Sequence, residues 1–283
     1  MSRRGRGGGL ADARRQTTAS GAAAPDPPRA AGGRQTDDAA WTRPALFWVD
    51  EVPEAGEVVL DGAEGRHAAD VRRVRRGEVV LIGDGIGTRA RVEVVEVGKS
   101  TVTTTVLERR TDPGPALRVT LAQALAKGDR GELAVELATE AGVDAVVPWR
   151  AARSVARWDD GTRGEKALAR WRSTAREAAK QARRAHVPDV APPLTTPDLA
   201  ARDADAVLLL EATAKESFAT VPLPGQGELV LVVGPEGGVT DEERAVLAEA
   251  GALEVRLGPD VLRTSTAGAV ALGALGARTG RWG

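Results

Sequence analysis

The sequence contains no cysteine and only two histidines, His67 and His186, among its 283 residues. The absence of cysteine excludes a disulfide scaffold, a thiolate zinc site and a cysteine nucleophile. Two histidines are too few for a multi-histidine metal site. No apolar run reaches the roughly 18–20 residues that a membrane-spanning helix needs. We therefore expect a soluble, cytoplasmic protein that does not contact a membrane and whose chemistry uses neither a thiol nor a metal.

The charges are unevenly distributed along the chain, although the formal net charge is only -1. Residues 150–190 hold 11 Lys and Arg against 5 Asp and Glu, whereas residues 191–283 hold 7 against 13. A positive segment flanked by acidic ones creates a local field rather than a global one. The pattern predicts a protein that contacts a polyanion with one face.

The first part of the chain divides into two segments of different composition. Residues 1–43 are rich in Gly, Ala, Arg, Pro and Thr and show no apolar periodicity. Such a segment buries too little apolar surface to fold, so we predict a disordered tail; a basic tail that contacts RNA is the alternative. Residues 44–113 contain short β-branched runs such as "RARVEVVEV", which predict a small β-barrel with one short helix around "EGRHAADVRRV" and a hairpin turn at "GDGIG".

Strands and helices alternate over residues 116–283. The apolar runs "LRVTLAQAL", "VDAVVPW", "AVLLLEA" and "ELVLVVG" are typical of strands buried on both faces. They are separated by amphipathic helical stretches, the longest spanning about 164–185. Repeated strand–helix units of this kind indicate an α/β domain with a parallel sheet.

The stretch "LVVGPEGGVTDEE" at 231–243 places three glycines and Glu236 at the end of a strand. Thr240 and Glu243 form a capping box for the next helix, which accounts for the acidic residues after the loop but not for Glu236. Crowded acids would repel a phosphate at this helix start. A ligand with an adenine ring, ribose hydroxyls and a positive sulfonium, such as S-adenosylmethionine, fits better. A strand–turn–helix corner without any ligand is the alternative.

A second corner, "LGPDVLRTSTAGAVAL" at 257–272, leads into a helix made mostly of small residues. Small residues permit close packing against another segment or subunit. Arg263 falls in the turn rather than on a solvated helix face. It is either a functional cation or a partner in a salt bridge or helix cap.

Together these two corners resemble the cofactor-binding trefoil knot of SPOUT-class methyltransferases. More narrowly, residues 45–278 resemble the RsmE family, because "ALAKGDRGELAVELATEAGVDAVVPW", "RSVARW", "RWRSTAREAAKQARRAHVPDV" and "LLLEA" are similar to successive blocks of that family. Two departures stand out. Ser265 occupies a position where the family often has Glu, and the family's Lys near Leu137 is missing.

The resemblance implies a fold, a reaction and a set of partners. It implies a C-terminal SPOUT methyltransferase domain with a knot and a parallel sheet, preceded by a small PUA-like RNA-binding β-barrel. The implied reaction transfers a methyl group from S-adenosylmethionine to N3 of one uridine (1498 in the usual numbering) of 16S rRNA, within the small ribosomal subunit. Such enzymes work as homodimers. A SPOUT ribose 2′-O-methyltransferase and a non-catalytic RNA-binding protein that retains the knot remain as alternatives.

The same resemblance assigns roles to particular residues. Arg263 is expected to stabilise the uridine anion, and Glu236 or Glu211 is expected to accept its proton or to orient a loop amide. The cofactor residues are expected in three loops: Leu210, Glu211 and Ala212; Gly234, Pro235, Glu236, Gly237, Gly238 and Val239; and Leu257, Gly258, Pro259, Val261, Leu262, Thr264 and Thr266.

Basic clusters in both domains are expected to bind RNA phosphates. The residues predicted for this role, with Gln181 as a reader of a base edge, are Arg72, Arg73, Arg75, Arg153, Arg176, Lys180, Gln181 and Arg183.

Overall fold

The computed structural model describes residues 39–282, which form two structural units. Most of the predicted tail, residues 1–38, lies outside the described residues. Residues 39–42 form a helical turn, and the side chain of Trp41 is only 1% exposed. The guanidinium of Arg110 stacks 4.1 Å from the centre of its ring. The folded part of the chain therefore begins before residue 44.

The first unit is a five-stranded sheet with the strand order β1-β3-β4-β5-β2. Its strands are β1 (Leu46–Trp48), β2 (Glu57–Leu60), β3 (Val79–Gly83), β4 (Thr88–Val97) and β5 (Val102–Thr111). Alternate residues such as Val80, Ile82, Val92 and Val94 are fully buried in its core, as the period-two pattern requires.

Two local features of the first unit match their predictions. The predicted short helix is α1 (Gly62–Arg66), continued by a π-helical turn (His67–Arg72). Arg73 ends that turn in the left-handed conformation, with φ of 53°. The predicted hairpin turn joins β3 to β4, where Asp84 Oδ1 accepts hydrogen bonds from the backbone amides of Ile86 and Thr88.

The second unit is a seven-stranded parallel sheet with the order β10-β12-β9-β11-β6-β7-β8. Its strands are β6 (Leu117–Ala124), β7 (Ala145–Trp149), β8 (Asp189–Val190), β9 (Ala206–Leu210), β10 (Glu216–Ser217), β11 (Gly227–Val233) and β12 (Leu253–Arg256). Apolar clusters cover both faces of this sheet, which explains why its central strands are continuously apolar. The predicted α/β unit is confirmed, whereas the knot stays a prediction.

Five helices accompany the sheet: α2 (Arg130–Glu140), α3 (Thr162–Gln181), α4 (Thr196–Ala200), α5 (Asp241–Glu249) and α6 (Thr264–Thr279). The predicted capping box of α5 is present, with Thr240 Oγ1 3.2 Å from the Glu243 amide. Helix α3 ends four residues before the predicted end at 185, because Arg183 adopts a left-handed conformation with φ of 54°. Within residues 39–282, none of the helices combines the length and the apolar character that crossing a membrane requires.

The C-terminal half of α3 and the residues just after it dock against the first unit. Lys180 Nζ lies 2.7 Å from Glu64 Oε2, and Arg183 Nε donates to the carbonyl of Pro44 over 2.7 Å. The Arg176 guanidinium stacks on the Trp48 ring at 5.3 Å, and the indole Nε1 of Trp48 donates to the carbonyl of Arg176. These contacts fix the two units relative to each other.

Candidate functional site

A cavity of about 390 Å³ lies at the carboxyl edge of the parallel sheet. Strand register explains its position, because Gln123, Val233, Leu210 and Val255 pair at one level across β6, β11, β9 and β12. The loops that follow β9, β11 and β12 therefore leave the sheet side by side. The carboxyl edge is where open parallel sheets place their ligands.

The cavity brings together most of the residues predicted to bind a cofactor. Those lining it are Leu210, Glu211, Ala212, Gly234, Pro235, Glu236, Gly238, Val239, Leu257, Gly258, Val261, Leu262 and Thr264. Gly237, Pro259 and Thr266 do not line it. Arg130, Val233, Val255, Asp260, Arg263 and Ala267, which were outside the predicted cofactor set, also line it.

The glycines of the "GPEGG" loop are required by geometry. The Gly238 amide donates to the Pro235 carbonyl over 2.9 Å, and Gly238 has φ of +74°, a conformation that L side chains rarely adopt. A Cβ at Gly234 would lie 2.7 Å from Val239 Cγ2. The loop thus turns tightly and keeps its backbone accessible from the cavity.

The acids that follow this loop are held by the start of α5. Hydrogen bonds from its own backbone amide and from the Thr240 hydroxyl lower the pKa of Glu242. Glu243 Oε1 accepts from the amide of Ala152 over 2.8 Å and from the Thr196 hydroxyl over 3.0 Å. Helix capping by Glu243 was indicated by the sequence, whereas its anchoring of Ala152 and Thr196 was not.

Glu236 is held by groups from the start of α2. Its Oε1 lies 3.7 Å from Arg130 Nη1 and 3.4 Å from the backbone nitrogen of Lys127, which donates to it. The carboxylate therefore links the "GPEGG" loop to the segment between β6 and α2. Glu211, the other candidate proton acceptor, accepts hydrogen bonds from the amide and the hydroxyl of Thr213.

Arg263 occupies the N-cap position of α6 and lines the cavity with an exposed side chain. Its guanidinium makes neither a hydrogen bond nor an ion pair with any of residues 39–282. Among the described residues, the Arg263 side chain is thus a cation without a partner at the cavity, whereas Arg130 is engaged with Glu236. Neither a salt bridge nor a side-chain cap, the structural roles considered for Arg263, is present among the described residues.

Gln123 is a buried polar residue of the site that the sequence analysis did not single out. Its Nε2 donates to Thr264 Oγ1 over 3.0 Å, and Thr264 Oγ1 donates to the Gly234 carbonyl over 2.7 Å. This relay connects β6, the start of α6 and the "GPEGG" loop. The sequence signal that could have identified Gln123 is that it is the single amide side chain in the otherwise apolar run "LAQAL".

The residues at the two departures from the family pattern, Ser265 and Leu137, do not line the cavity. Ser265 is buried at the start of α6 and does not line the cavity. Leu137 lies on α2, which is also absent from the cavity lining apart from Arg130.

The residues predicted to bind RNA fall into two groups. Arg72, Arg73, Arg75, Arg153 and Gln181 are exposed. Lys180 is buried in the ion pair with Glu64, while Arg183 and Arg176 contact Pro44 and Trp48. The prediction that Lys180 binds RNA needs correction, because its side chain is buried against Glu64. Arg176 is exposed and Arg183 is half-buried, so their contact with RNA stays a prediction.

Residues 39–282 contain many acidic side chains and two histidines. Nowhere in that range do three or more of them come together in a way that could hold a metal ion.

Both structural units of the chain match known protein families. Residues 113–276 match the RNA methyltransferase domain, and residues 60–107 match the RNA methyltransferase PUA domain. The chain is 51% identical over 244 residues to the ribosomal RNA small subunit methyltransferase E of Mycobacterium bovis, covering 84% of this chain and 93% of the relative. It is 33% identical over 239 residues to the protein of the same name from Bacillus subtilis, covering 81% and 93%.

A solved structure of similar architecture is that of the ribosomal RNA small subunit methyltransferase E from Neisseria gonorrhoeae, bound to S-adenosyl methionine. It is 28% identical, with a TM-score of 0.74, and covers 83% of this chain and 98% of its own. The cavity at the carboxyl edge, the two matched domains and these relatives agree: the chain belongs to the ribosomal RNA small subunit methyltransferase E family.

Proposed function

We propose that this chain transfers a methyl group from S-adenosylmethionine to N3 of one uridine of 16S rRNA, the uridine numbered 1498 in the usual scheme. The observation that carries the proposal is the 390 Å³ cavity, in which three predicted cofactor loops meet beside the free cation Arg263. Family membership supplies the class of reaction, and the cavity supplies a place for it.

The residues present suit the cofactor. The cavity volume lies within the range of about 300–1,000 Å³ that small-molecule sites occupy. Gly234 and Gly238 expose backbone that can read an adenine, and the carboxylates of Glu211 and Glu236 line the same cavity and tolerate a positive sulfonium. When bound, S-adenosylmethionine supplies a methyl group on a positively charged sulfur.

The target nitrogen sets the chemical requirement. Uracil N3 carries a proton and a delocalised lone pair, so it becomes nucleophilic only when that proton leaves. Negative charge then develops on O2 and O4 of the ring. Arg263 is the group that stabilises this charge, because its guanidinium is exposed at the cavity and unpaired among the described residues. Removal of one such donor typically costs about 100- to 1,000-fold in rate.

The proton acceptor is drawn from two glutamates of the cavity, Glu211 and Glu236. Glu236 is tied to Arg130 and to the amide of Lys127, which suits a brace that positions the loop. Glu211 is held only by its neighbour Thr213. We assign Glu236 the positioning role and keep Glu211 as the candidate acceptor.

The RNA is proposed to contact both units. Arg72, Arg73 and Arg75 are exposed on the first unit, while Arg153 and Gln181 are exposed on the second. Arg153 also donates to the carbonyl of Gly237 over 3.3 Å, which brings a cation next to the cofactor loop. The substrate is proposed to be 16S rRNA within the small ribosomal subunit, met in the cytoplasm.

A homodimer is proposed from the family resemblance. The small residues of α6 do not by themselves require a partner, because a Cβ at Gly268 would meet Leu121 and one at Gly273 would meet Trp282. Stronger support comes from apolar side chains left exposed near the cavity and on α6, namely Val261, Leu262 and Val270. Light scattering of the purified chain tests the assembly state.

The reaction is tested with purified components. Small ribosomal subunits that lack the modification are incubated with the protein and S-adenosylmethionine, and nucleosides of the 16S rRNA are analysed by mass spectrometry. The proposal predicts N3-methyluridine at a single position. Ribose-methylated nucleosides instead would favour a 2′-O-methyltransferase. Calorimetric binding of the cofactor without any methylation would favour an RNA-binding protein that has lost catalysis.

A further inference from the structure

A second and larger cavity lies on the other side of the segment that joins β6 to α2. This groove has a volume of about 810 Å³ and is formed by α2, α3 and the loop between β7 and α3. Arg130 lines the cofactor cavity, while its neighbour Gly131 lines the groove. Two adjacent residues of the chain therefore line the two spaces.

The rim of the groove is strongly cationic. Arg157, Arg163, Lys166 and Arg170 line it, with Glu132 as the single acid among its lining residues. Arg163, Lys166 and Arg170 are spaced three and four residues apart on α3, so they follow one face of that helix. Arg170 bonds Glu132 over 3.1 Å. The side chains of Arg163 and Lys166 are exposed and make neither hydrogen bonds nor ion pairs with the rest of the described chain.

The position of Arg163 is unfavourable for the helix itself. It lies in the first turn of α3, where the helix dipole disfavours positive charge. Of the neighbouring acids, Asp159 accepts hydrogen bonds from the amides of Gly161 and Gly164, and Asp160 pairs with Arg150. Glu165 lies in the same first turn but forms no ion pair with Arg163 within residues 39–282. A cation placed against the local electrostatics and left unpaired fits an external anion.

The floor of the groove is apolar and contains an aromatic surface. Trp158 is half-buried and lines the groove, with its ring 5.0 Å from Trp171 in an edge-to-face arrangement of 76°. Trp171 is held in turn by Gly131, where a Cβ would lie 2.7 Å from the indole Cζ2. A fixed aromatic ring inside a cationic cleft is the combination that single-stranded nucleic acid sites use.

The groove is mechanically connected to the cofactor loop. The loop that forms one wall of the groove contains Ala152, whose amide donates to Glu243 over 2.8 Å, and Arg153, whose Nη1 donates to the Gly237 carbonyl. An occupant of the groove would therefore lie next to the loop that carries Glu236.

We propose that this groove binds nucleotides of the RNA substrate that flank the target uridine. The phosphates contact Arg163, Lys166 and Arg170, and one base stacks against Trp158. The occupant is an RNA rather than a protein because the rim is cationic while the floor offers a single aromatic platform. This inference rests on the proposed function, since RNA is the substrate of that reaction.

Charge reversal of the rim provides the first test. The double variant Arg163→Glu with Lys166→Glu is compared with a control, Lys99→Glu with Arg118→Glu, which reverses two exposed charges that do not line the groove. Binding of a fluorescent fragment of 16S rRNA that spans the target is measured between 50 and 200 mM salt. Loss of two phosphate contacts should lower the salt slope by about 1.4 and weaken binding by at least about tenfold at the lower salt.

Two readouts separate a local effect from misfolding. The affinity for S-adenosylmethionine, measured by calorimetry, should match that of the wild-type protein in both double variants. The thermal midpoint of the rim variant should not fall, because Glu at position 163 suits the start of a helix. The double variant Arg163→Gln with Lys166→Gln removes the two charges without reversing them. It should give the same loss of salt slope.

Substitution of Trp158 provides the second test. Trp158→Ala should weaken RNA binding by about 5- to 150-fold, the range for loss of one stacked base, and Trp158→Phe should restore most of it. The salt slope should stay unchanged in both variants, because no phosphate contact is lost.

The inference is overturned if the rim variant and the control bind RNA equally well. It is also overturned if the rim variant changes the assembly state while RNA affinity stays at the wild-type level, because the groove would then be a protein interface. If the wild-type protein methylates uridine and the rim variants bind RNA as well as it does, the groove proposal fails while the proposed reaction stands. If the rim variants lose RNA binding but the wild-type protein methylates no uridine, the proposed reaction fails while the groove proposal stands.

Discussion

Glu236 and Arg263 face the same cavity, but their surroundings differ. The Glu236 carboxylate has Arg130 at 3.7 Å and accepts a hydrogen bond from the amide of Lys127, whereas the Arg263 side chain has no such partner in the described part of the chain. A group engaged on one side is suited to hold a loop. A group without a partner is available to the substrate.

Replacement of Glu236 by Gln tests this division of roles. Gln keeps the shape and an oxygen for the Lys127 amide but removes the negative charge that faces Arg130. We expect single-turnover methyl transfer to slow by less than about tenfold, whereas loss of a general base typically costs about 100- to 10,000-fold. Single-turnover rates measured across pH distinguish the outcomes, with Glu211→Gln as the matched comparison. A rate loss of about 1,000-fold for Glu236→Gln alone would contradict the brace assignment.

The buried relay from Gln123 through Thr264 to Gly234 provides a second test. Thr264→Val removes the hydroxyl, which leaves the Gly234 carbonyl and one Gln123 N–H without their partners. An unsatisfied buried polar group costs about 1–3 kcal/mol, so both the free energy of unfolding and the cofactor affinity should fall. Thr264→Ser keeps the hydroxyl and is the control. If Thr264→Val binds S-adenosylmethionine as well as Thr264→Ser does, the relay does not hold the loop.

At the scale of elements, α3 serves two purposes along its length. Its first half presents Arg163, Lys166 and Arg170 to the groove, and its second half carries Arg176 and Lys180 into contact with the first unit. The sequence showed an amphipathic helix within a segment of net positive charge, residues 150–190. It could not show this division, because the docking surface belongs to residues more than one hundred positions earlier in the chain.

The two partners of the ion pair between Lys180 and Glu64 are expected to differ in how much their removal lowers the free energy of unfolding. The Lys180 side chain is 6% exposed and that of Glu64 is 23% exposed. Glu64→Gln leaves a buried ammonium without its counter-charge and should lower the free energy of unfolding by about 3 kcal/mol. Lys180→Met leaves a carboxylate that reaches solvent and should cost about 1 kcal/mol.

Urea denaturation of both single variants and of the double variant measures this difference. Lys180→Met should also keep the wild-type affinity and salt slope for RNA, since its side chain faces Glu64 rather than solvent. A lower salt slope for Lys180→Met would restore the original prediction that Lys180 binds phosphate.

The contact between α5 and β12 predicts a pH dependence. Arg244 bonds Glu254 through two nitrogens at 2.6 Å, and these hydrogen bonds lower the pKa of Glu254 below its usual value of 4.5. The pair therefore stabilises the fold above about pH 4.5, and this contribution is lost as the pH falls through the lower pKa of the folded state. Both side chains are partly exposed, so we expect at most about 1 kcal/mol.

Glu254→Gln is the variant that measures this contribution. Its free energy of unfolding should lie below that of the wild-type protein near pH 7, and the difference should shrink below about pH 4.5. A difference that stays constant from pH 7 to pH 3 would show that the charge on Glu254 does not stabilise this contact.

At the scale of the whole molecule, the order of strands and helices was readable from the sequence, but their lateral contacts were not. Continuous apolar runs predicted β6, β7, β9 and β11, because strands covered on both faces leave that pattern. The sequence did not predict the two-residue strands β8 and β10 or the five-residue helix α4. Elements this short contain too few residues to show a periodic apolar pattern. The end of α3 was missed because a non-glycine residue, Arg183, takes the left-handed conformation there.

At the candidate site, too, some features could be predicted from the sequence and others could not. The loops "GPEGG" and "LGPDVLRT" were predictable because their glycines and prolines mark strand ends, and register then brings those ends together. The partner of Glu236 was not predictable, because Arg130 lies over one hundred residues away in sequence. Contacts of this kind arise only when the parallel sheet has set the order of its strands.

Methylation of 16S rRNA in cells tests the central claim most directly. Nucleosides of 16S rRNA are analysed by mass spectrometry from a strain that lacks this gene and from the same strain carrying the wild-type gene, Arg263→Ala or the control Lys99→Glu. We expect N3-methyluridine to disappear on deletion, to return with the wild-type gene and with Lys99→Glu, and to stay absent or nearly absent with Arg263→Ala. Full retention of N3-methyluridine in the deletion strain would contradict the account.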